Sequence, residues 1–477
     1  MNSPKISVII PTYNGATFIG KAIQSVLGQT YPDFELIIVN DASPDNVTDV
    51  VEQFRDPRIK YIVHKKNQGV DCSRDTGLKA STGEIIAFLD QDDSYHPEKL
   101  QKHVEYLKQH PDVGFTYNAR FELNYSSESI REIWRPPHEI NLADLVLWFP
   151  IAPSDWVIRR EWAMRIDFVN DYAWTGKEIV YLSRLFLEGC KFGMVNRALN
   201  YRRHHTKRVF KDLVGGCEHE LNAQRLVFSD PRCPDQILSL KGRAHANIYF
   251  FWAYRAFAQE ETEIGQEFVR QMVQHNPAVI EGTTCEFVSN LAITCSDDEN
   301  QDHVALLKRI FAQLPPELVH LNDQIDWPIL RGYLLKGTRA FIWGRPEDGR
   351  KYLKQASLLG AKFDDAYLSF LTSSLLDFEI EFGDTAVQKI ITEMAPTLKA
   401  LDGSKCLNRL QSKLALNMAF HSYHSKEYTK VWPKVWEAIK WEPKYLINRG
   451  VIAILFCSVV NQITHTNIKI AKSPITP

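Results

Sequence analysis

Paired cysteines are missing from this sequence. Its eight cysteines are scattered, with no C-x-x-C pair and no His/Cys cluster at zinc spacing. That excludes a zinc ribbon and reads as reduced, intracellular thiols rather than a disulfide framework. A long apolar run is missing too. The best membrane candidate, "GVIAILFCSVV" from Gly450 to Val460, has 11 residues, too few to span a bilayer; a buried helix is expected, with an interfacial segment as the alternative. The N-terminal apolar run stops at Pro11, so no signal peptide is expected. Charge of one sign is not in excess: the net charge of −2 gives no global pull toward nucleic acid or anionic lipid. There is no G-x-G-x-x-G, which excludes a Rossmann dehydrogenase.

What is present is enough apolar material for more than one core. The 477 residues are 44% hydrophobic, and that length favours two or three domains. The first part alternates strand and helix patterns. Strands are predicted at Ile6 to Ile10, Glu35 to Val39, Ile59 to Val63 and Glu84 to Leu89, and helices near Thr17 to Leu27, Val47 to Phe54 and Cys72 to Ala80. Near-continuous apolar strands alternating with helices predict an α/β fold, a mostly parallel sheet sandwiched by helices. Ligands on such sheets bind at the carboxyl ends of the strands. The polar segments "PTYNG", "NDASPDN", "HKKNQG" and "DQDDSY" all fall there.

From about Cys217 the texture becomes all-helical. "RAFAQEETEIGQEFV" from Arg255 is in register with "RAFIWGRPEDGRKYL" from Arg339, and the interval Ala419 to Pro443 matches Ala253 to Pro277. Paired helices with a small residue at the crossing suggest helical hairpins. A tetratricopeptide-like domain and an irregular bundle both fit, since the 34-residue tandem period is absent.

Two segments carry chemistry. Gly15 to Lys21 has the G-x-x-x-x-G-K spacing of a phosphate-binding P-loop, yet Ala22 follows the lysine and Phe18 and Ile19 fill the loop. A P-loop needs a metal-binding hydroxyl and small residues there, so we read an Asn14–Gly15 turn, a Thr17 helix cap and a buried helix face. In "GEIIAFLDQDD" an apolar strand ends in Asp90, Asp92 and Asp93. Clustered carboxylates need a cation or a basic partner, and oxygen ligands of this kind suit Mg²⁺ or Mn²⁺ holding phosphates. Asp93 or Ser94 capping a helix is the alternative.

"PTYNG", "ELIIVNDAS", "NQGVDCSRDTGLKAS" and "GEIIAFLDQDD" together resemble, in order and spacing, the family-two glycosyltransferases with their A-type nucleotide-diphospho-sugar transferase fold. The resemblance weakens toward Lys211 and covers less than half the chain. It implies that Pro11, Thr12 and Tyr13 border the nucleoside, that Asp41 bonds the base and that Arg74 lies on the nucleotide side. Asp90 and Asp92 match the D-x-D pair, the first toward ribose and metal, the second a direct metal ligand. Asp75 stands where the family usually has Asn.

The resemblance also implies a general base, because a sugar hydroxyl must lose its proton in the transition state. "GKEIVYLSR" matches the family's G-E-D-x-x-x-x-x-R segment and puts Glu178 in the base position, with Asp171 as alternate. A first-turn helix acid is the plain reading of Glu178. Tyr201, Arg202 and His204 match Y-R-x-H, which implies His204 as a third metal ligand, His205 being the alternate. Arg203, Lys207, Arg208 and Lys211 form a basic loop able to clamp a diphosphate. Asp155, Trp156 and Trp162 are read either as an acceptor wall or as core.

These readings assign residues 1–215 to a catalytic domain, 216–463 to an all-helical domain and 464–477 to a disordered polar tail. The implied reaction is metal-dependent inverting transfer from a nucleotide diphosphate sugar, a UDP-sugar first of all, to a glycan, lipid-linked or protein acceptor, with Mn²⁺ or Mg²⁺ as cofactor. No nucleic-acid partner is expected. A cytoplasmic protein is expected, with peripheral contact at the inner membrane face and a protein partner on the helical domain. The competing function is a scaffold that binds a sugar nucleotide without turning it over, for which the unusual Lys177 and Glu178 are the grounds.

Overall fold

A computed structural model describes residues 4–124, 128–166, 177–204, 212–297 and 301–464. The first elements are β1 (Ile6–Thr12), α1 (Ile19–Leu27), β2 (Phe34–Asn40), α2 (Val47–Glu52), β3 (Ile59–Val63), α3 (Val70–Ala80), β4 (Ile85–Phe88) and β5 (Ser94–Tyr95). There follow α4 (Lys99–Gln109), β6 (Phe115–Asn124), β7 (Ile130–Trp134), α5 (Leu142–Leu147), β8 (Val157–Arg159), α6 (Arg160–Ala163), α7 (Lys177–Leu187), β9 (Phe192–His204) and α8 (Leu213–Phe228). Among the described residues the strands form one nine-stranded sheet, β3-β2-β1-β4-β8-β6-β9-β5, with β7 on β6.

The four predicted strands pair in parallel, β3 to β2 to β1 to β4. The near-continuous apolar sequences of β1, β2 and β4 follow from burial on both faces, while β3, at the edge of the sheet, leaves Lys60 and Val63 exposed. Ile6, Val8 and Ile10 share a core with Ile19, Ile23 and Val26 of α1 and with α2 and α4. Ile9, Ile37 and Val39, one residue out of step, share the opposite core with α3, α5, α7 and α8. Beyond β4 the sheet is mixed: β8 is antiparallel to β4 and β6, β9 is parallel to β6, and β5 is antiparallel to β9.

The chain divides into two compact units, Met1–Leu291 with Val304–Ile325, and Ala292–His303 with Asp326–Pro477. This differs from a boundary at 215/216. Ala223, Val227 and Phe228 of α8 and Ala244 lie in the same core as the sheet, so helices after residue 215 finish the sheet's cover. Residues 465–477 of the expected tail lie outside the described residues.

The later helices are α9 (Asp235–Leu238), α10 (Lys241–Ala258), α11 (Thr262–His275), α12 (Glu286–Cys295), α13 (His303–Ala312), α14 (Asp326–Ile342) and α15 (Pro346–Leu358). They continue with α16 (Asp365–Phe382), α17 (Asp384–His424, broken at Asp402 and Gly403), α18 (Tyr428–Trp441) and α19 (Arg449–Thr464). The segments in sequence register are the hairpins α10/α11, α14/α15 and α17/α18. Each linker has one left-handed residue at the same place, Glu260 (φ 68°), Gly344 (φ 72°) and Lys426 (φ 62°). The next amide reaches back into the first helix each time: Glu261 to Ala256 at 2.9 Å, Arg345 to Ala340 at 2.8 Å, Glu427 to Ser422 at 2.8 Å. Such left-handed caps satisfy carbonyls left open at a helix end. Gly265 lies against Phe257 and Gly349 against Phe341; a Cβ on either would come within 2.8 and 2.5 Å of the ring. No helix among the described residues is long and apolar enough to cross a membrane.

Candidate active site

The carboxyl ends of β1, β2 and β4 are tied together by side chains from the polar loops. Gln91 is the central staple: its Oε1 accepts from Thr12 Oγ1 at 2.6 Å and Tyr13 N at 2.9 Å, and its Nε2 donates to Tyr13 O at 3.0 Å. A Cβ on Gly15 would fall 2.0 Å from Gln91 Oε1, which is why that position is glycine. The Ala16 amide donates to Asp45 Oδ2 at 2.8 Å and the Asn14 amide to Ser43 Oγ at 3.2 Å. The chain enters α1 at Ile19 through backbone bonds from the Phe18 and Ile19 amides to Gly15 O, with no side-chain cap; Thr17 does not cap it. Lys21 points to Glu128 at 2.6 Å, so the lysine of the P-loop-like spacing is engaged in an ion pair. Pro11 and Thr12 are buried in β1, and Tyr13 is exposed.

Asp41 is buried. Its carboxylate accepts from the amides of Gln68 and Gly69 at 2.9 and 2.7 Å and lies 2.7 Å from His64 Nδ1. It thereby shapes the turn into α3, which presents Arg74.

Arg74 is the hub of the site. Its guanidinium donates to Asp90 Oδ1 at 2.9 Å, Glu178 Oε1 at 2.9 Å and Asp71 Oδ1 at 3.2 Å. Burial works against its charge, but the three carboxylates hold it well above even the usual arginine range. Around this single guanidinium the carboxylates crowd. Burial lifts the Asp90 carboxyl above its ordinary range and the Asp92 and Glu178 charges push it the same way, while Arg74 opposes them. Asp93 is lifted further, by burial and then by Asp92 and Asp90.

Asp93 has a structural task. It accepts from Ser154 Oγ at 2.6 Å and from the Arg203 amide at 3.0 Å, and Ser94–Tyr95 pairs with β9. No helix begins at Asp93 or Ser94; α4 starts at Lys99. Asp90, whose Oδ1 is held by Arg74, lies two residues from Asp92 at the end of β4. Two hard oxygen ligands under mutual repulsion fit Mg²⁺ or Mn²⁺, ions that take much of their shell from water and phosphate. Among the described residues no group of three His, Cys, Asp or Glu side chains is gathered for a metal. His204 ends β9 opposite Asn124; its side chain, with Asp171, His205, Lys207, Arg208 and Lys211, lies outside the described residues.

The acceptor-wall reading of Asp155 and Trp156 is corrected by their burial. Trp156 is fully buried, edge-on to Phe88 at 6.3 Å and parallel to Tyr181 at 6.2 Å. Asp155 accepts from Arg120 Nη1 at 2.6 Å and Asn200 Nδ2 at 3.1 Å. Trp162, half-buried, carries the Arg165 guanidinium 4.0 Å from its ring. Arg203 donates to Glu128 Oε1 at 2.8 Å, sharing that carboxylate with Lys21, and sits over Phe18.

Two features escaped sequence reasoning. Glu220 of α8 accepts from Trp252 Nε1 at 3.1 Å; burial raises its carboxyl and the Glu178 charge adds to the rise. Nothing in "GGCEHELNAQ" marks that glutamate. Beneath the site, Lys99 is wholly buried and donates to Asn118 Oδ1, which also meets His103 Nε2 at 2.9 Å. Burial drops the Lys99 ammonium to about 7 despite the Asp155 and Asp93 charges.

The sequence pattern of the family described as Glycosyl transferase family 2 matches residues 7–166, the span that holds every loop above except those of α7 and β9. An uncharacterized glycosyltransferase of Nostoc sp. is 43% identical over 194 residues, 39% of this chain and 58% of that protein. The UDP-Glc:alpha-D-GlcNAc-diphosphoundecaprenol beta-1,3-glucosyltransferase WfaP of Escherichia coli is 30% identical over 220 residues, 44% of this chain and 82% of that protein. The chain spans only 22% of one longer relative. Among solved structures, a mannosyltransferase of Pyrobaculum calidifontis in complex with GDP-Man and Mn²⁺ aligns with a TM-score of 0.42 at 16% identity, over 69% of this chain and 88% of that one. With its motifs at the carboxyl ends of β1, β2 and β4 and a relative matched over most of its length, the chain belongs to glycosyltransferase family 2.

Proposed function

We propose that the chain transfers a sugar from a nucleotide diphosphate sugar to an acceptor hydroxyl, with inversion at the anomeric carbon, in the building of a cell-surface glycan. The observation that carries this reading is Arg74 gripping Glu178 and Asp90 at 2.9 Å each. One rigid cation sets the distance between the carboxylate that would take the acceptor's proton and the carboxylate on the donor side. Such positioning is worth much of a transfer reaction's barrier.

In this reading Glu178 accepts the proton of the acceptor hydroxyl as that oxygen attacks from the face opposite the leaving diphosphate. Pro11, Thr12, Tyr13 and Asp41 form the nucleoside side, and Arg74 the link to it. Mn²⁺ or Mg²⁺, held by Asp90 and Asp92 with His204, would supply charge neutralisation at the departing diphosphate. A UDP-sugar is the first donor to try, since the Escherichia coli relative is named for UDP-glucose. The acceptor is a glycan, lipid-linked or protein hydroxyl, and the tetratricopeptide-like hairpins α14/α15 and α17/α18 of the second unit offer a place for a protein partner.

The test is release of nucleoside diphosphate from a panel of UDP-, GDP- and dTDP-sugars with Mn²⁺ or Mg²⁺, beside Asp92→Ala and Glu178→Gln. Metal-dependent release that disappears in both variants supports the transferase. Calorimetric donor binding without release by the wild type, with acceptors supplied, would overturn it in favour of a binding scaffold.

A further inference from the structure

The outward side of α19 is apolar where solvent is expected. Its inner stripe, Val451 and Ile454, packs into a core with Ala419, Val431 and Val435. The opposite stripe, Ile452, Phe456 and Val459 at helical spacing, is exposed, with Phe456 at 68%. Ile447, just before the helix, is 82% exposed, and on α18 Trp432 and Trp436 are exposed with their rings 5.6 Å apart. A surface helix carries polar residues on its outer face; this one, from Gly450 to Thr464, carries no charged residue at all.

Charge says what covers it. From Lys426 to Pro477 there are eight Lys/Arg and three Asp/Glu, and no Asp or Glu after Glu442, in a chain whose net charge is −2. Lys444, which reaches Glu442 at 3.1 Å, and Arg449 flank the apolar stripe and are exposed; Lys469 and Lys472 lie outside the described residues. Apolar side chains with tryptophan beside them, bordered by exposed cations that outnumber the carboxylates, match a lipid headgroup interface. A second copy fits worse, because a twofold contact lays the same patch on itself and brings no surplus of negative charge to meet Lys444 and Arg449.

We infer that the α18–α19 end is a docking surface for an anionic lipid bilayer, which α19 enters lengthwise without crossing. The inference rests on the second compact unit alone and is independent of the catalytic reading.

The experiment is flotation of the full chain with vesicles of phosphatidylcholine, or of phosphatidylcholine with about 30% phosphatidylglycerol. The wild type should float with the anionic vesicles and be released as salt rises from about 0.1 to about 0.5 M. Ile452→Ser/Phe456→Ser and Lys444→Glu/Arg449→Glu should each weaken partition at least about tenfold. Their thermal unfolding and donor binding should be unchanged, because the four side chains are exposed. A wild type that stays soluble beside anionic vesicles overturns the inference. So does a serine variant that floats as well as the wild type. A dimer in sedimentation equilibrium that Phe456→Ser dissolves, with no flotation, overturns it by assigning the face to a second copy.

Discussion

Arg74 Nη1 donates to Glu178 Oε1 at 2.9 Å, joining α3 to the first turn of α7 across 104 residues of sequence. The same guanidinium holds Asp90 at the end of β4. The proposed proton acceptor and the proposed donor-side carboxylate are therefore not independent parts; one cation orients both.

Replacing Arg74 with alanine should leave Asp71, Asp90 and Glu178 without their shared cation. Breaking a buried ion pair in this way costs about 3–5 kcal/mol. Urea unfolding should show a loss of that size, together with loss of donor turnover. Arg74→Lys should recover part of the stability and little of the turnover, since an ammonium cannot reproduce the planar fork. Equal turnover in Arg74→Lys and wild type would refute the positioning role.

Glu178→Gln and Asp92→Ala should fail differently. The glutamine keeps the shape and a hydrogen-bonding oxygen, so donor affinity should hold while kcat falls about 10²–10⁴-fold, the usual worth of a general base. Asp92→Ala should instead raise the concentration of Mn²⁺ needed for donor binding. Metal titrations by calorimetry separate the two, and identical defects would contradict the division of labour.

Lys99→Met tests the buried ammonium. Folded, Lys99 loses its proton near pH 7; unfolded, near about 10.4. Between those values the unfolded chain binds the extra proton, so the lysine's cost is full below pH 7 and is relieved as pH rises. Asp155, Asp93, His103 and the Tyr95 ring surround it, and burial still holds His103 down when the Lys99 charge is gone. Lys99→Met should thus be more stable than wild type at about pH 6.5, with the gap closing toward about pH 10. A gap in urea midpoints that stays constant over this range would show that the amine is not the titrating group.

The hairpin linkers predict opposite signs for chemically similar changes. Glu260→Gly and Lys426→Gly relieve a left-handed backbone at a non-glycine residue and should stabilise by up to about 1 kcal/mol. Gly344→Ala, at the matching place, should destabilise by about 1 kcal/mol. Gly349→Ala forces a methyl into the Phe341 ring and should cost about 1–3 kcal/mol. Thermal midpoints for the four variants check all of these signs.

The parallel half of the sheet was legible because Ile6–Thr12, Phe34–Asn40 and Ile59–Val63 are apolar runs closed by polar loops, a local signal. Most of the contacts that settle roles were not local. Trp156 and Asp155 read equally as wall or core until β8 is placed between β4 and β6. Thr17 looked like a cap, but α1 begins only at Ile19, entered through backbone bonds of the Phe18 and Ile19 amides to Gly15. Asp93 acquires its strut to Arg203 only through a separation of 110 residues, and Glu220 meets Trp252, 32 residues on, through tertiary packing alone. The cluster Asp90, Arg74 and Glu178 was named from motifs, but its sharing of one guanidinium was not visible before the chain was folded.

Gly15 and Gln91 occupy one another's space: the glutamine fills the volume a side chain at 15 would need and bonds both Thr12 and Tyr13 from there. A side chain at 15 needs Gln91 to move, and a moved Gln91 gives up its bonds to Thr12 and Tyr13. A library that randomises the loop after β1 while holding Gln91 should select against side chains at 15, whereas one that shortens residue 91 first opens a compensated route to them.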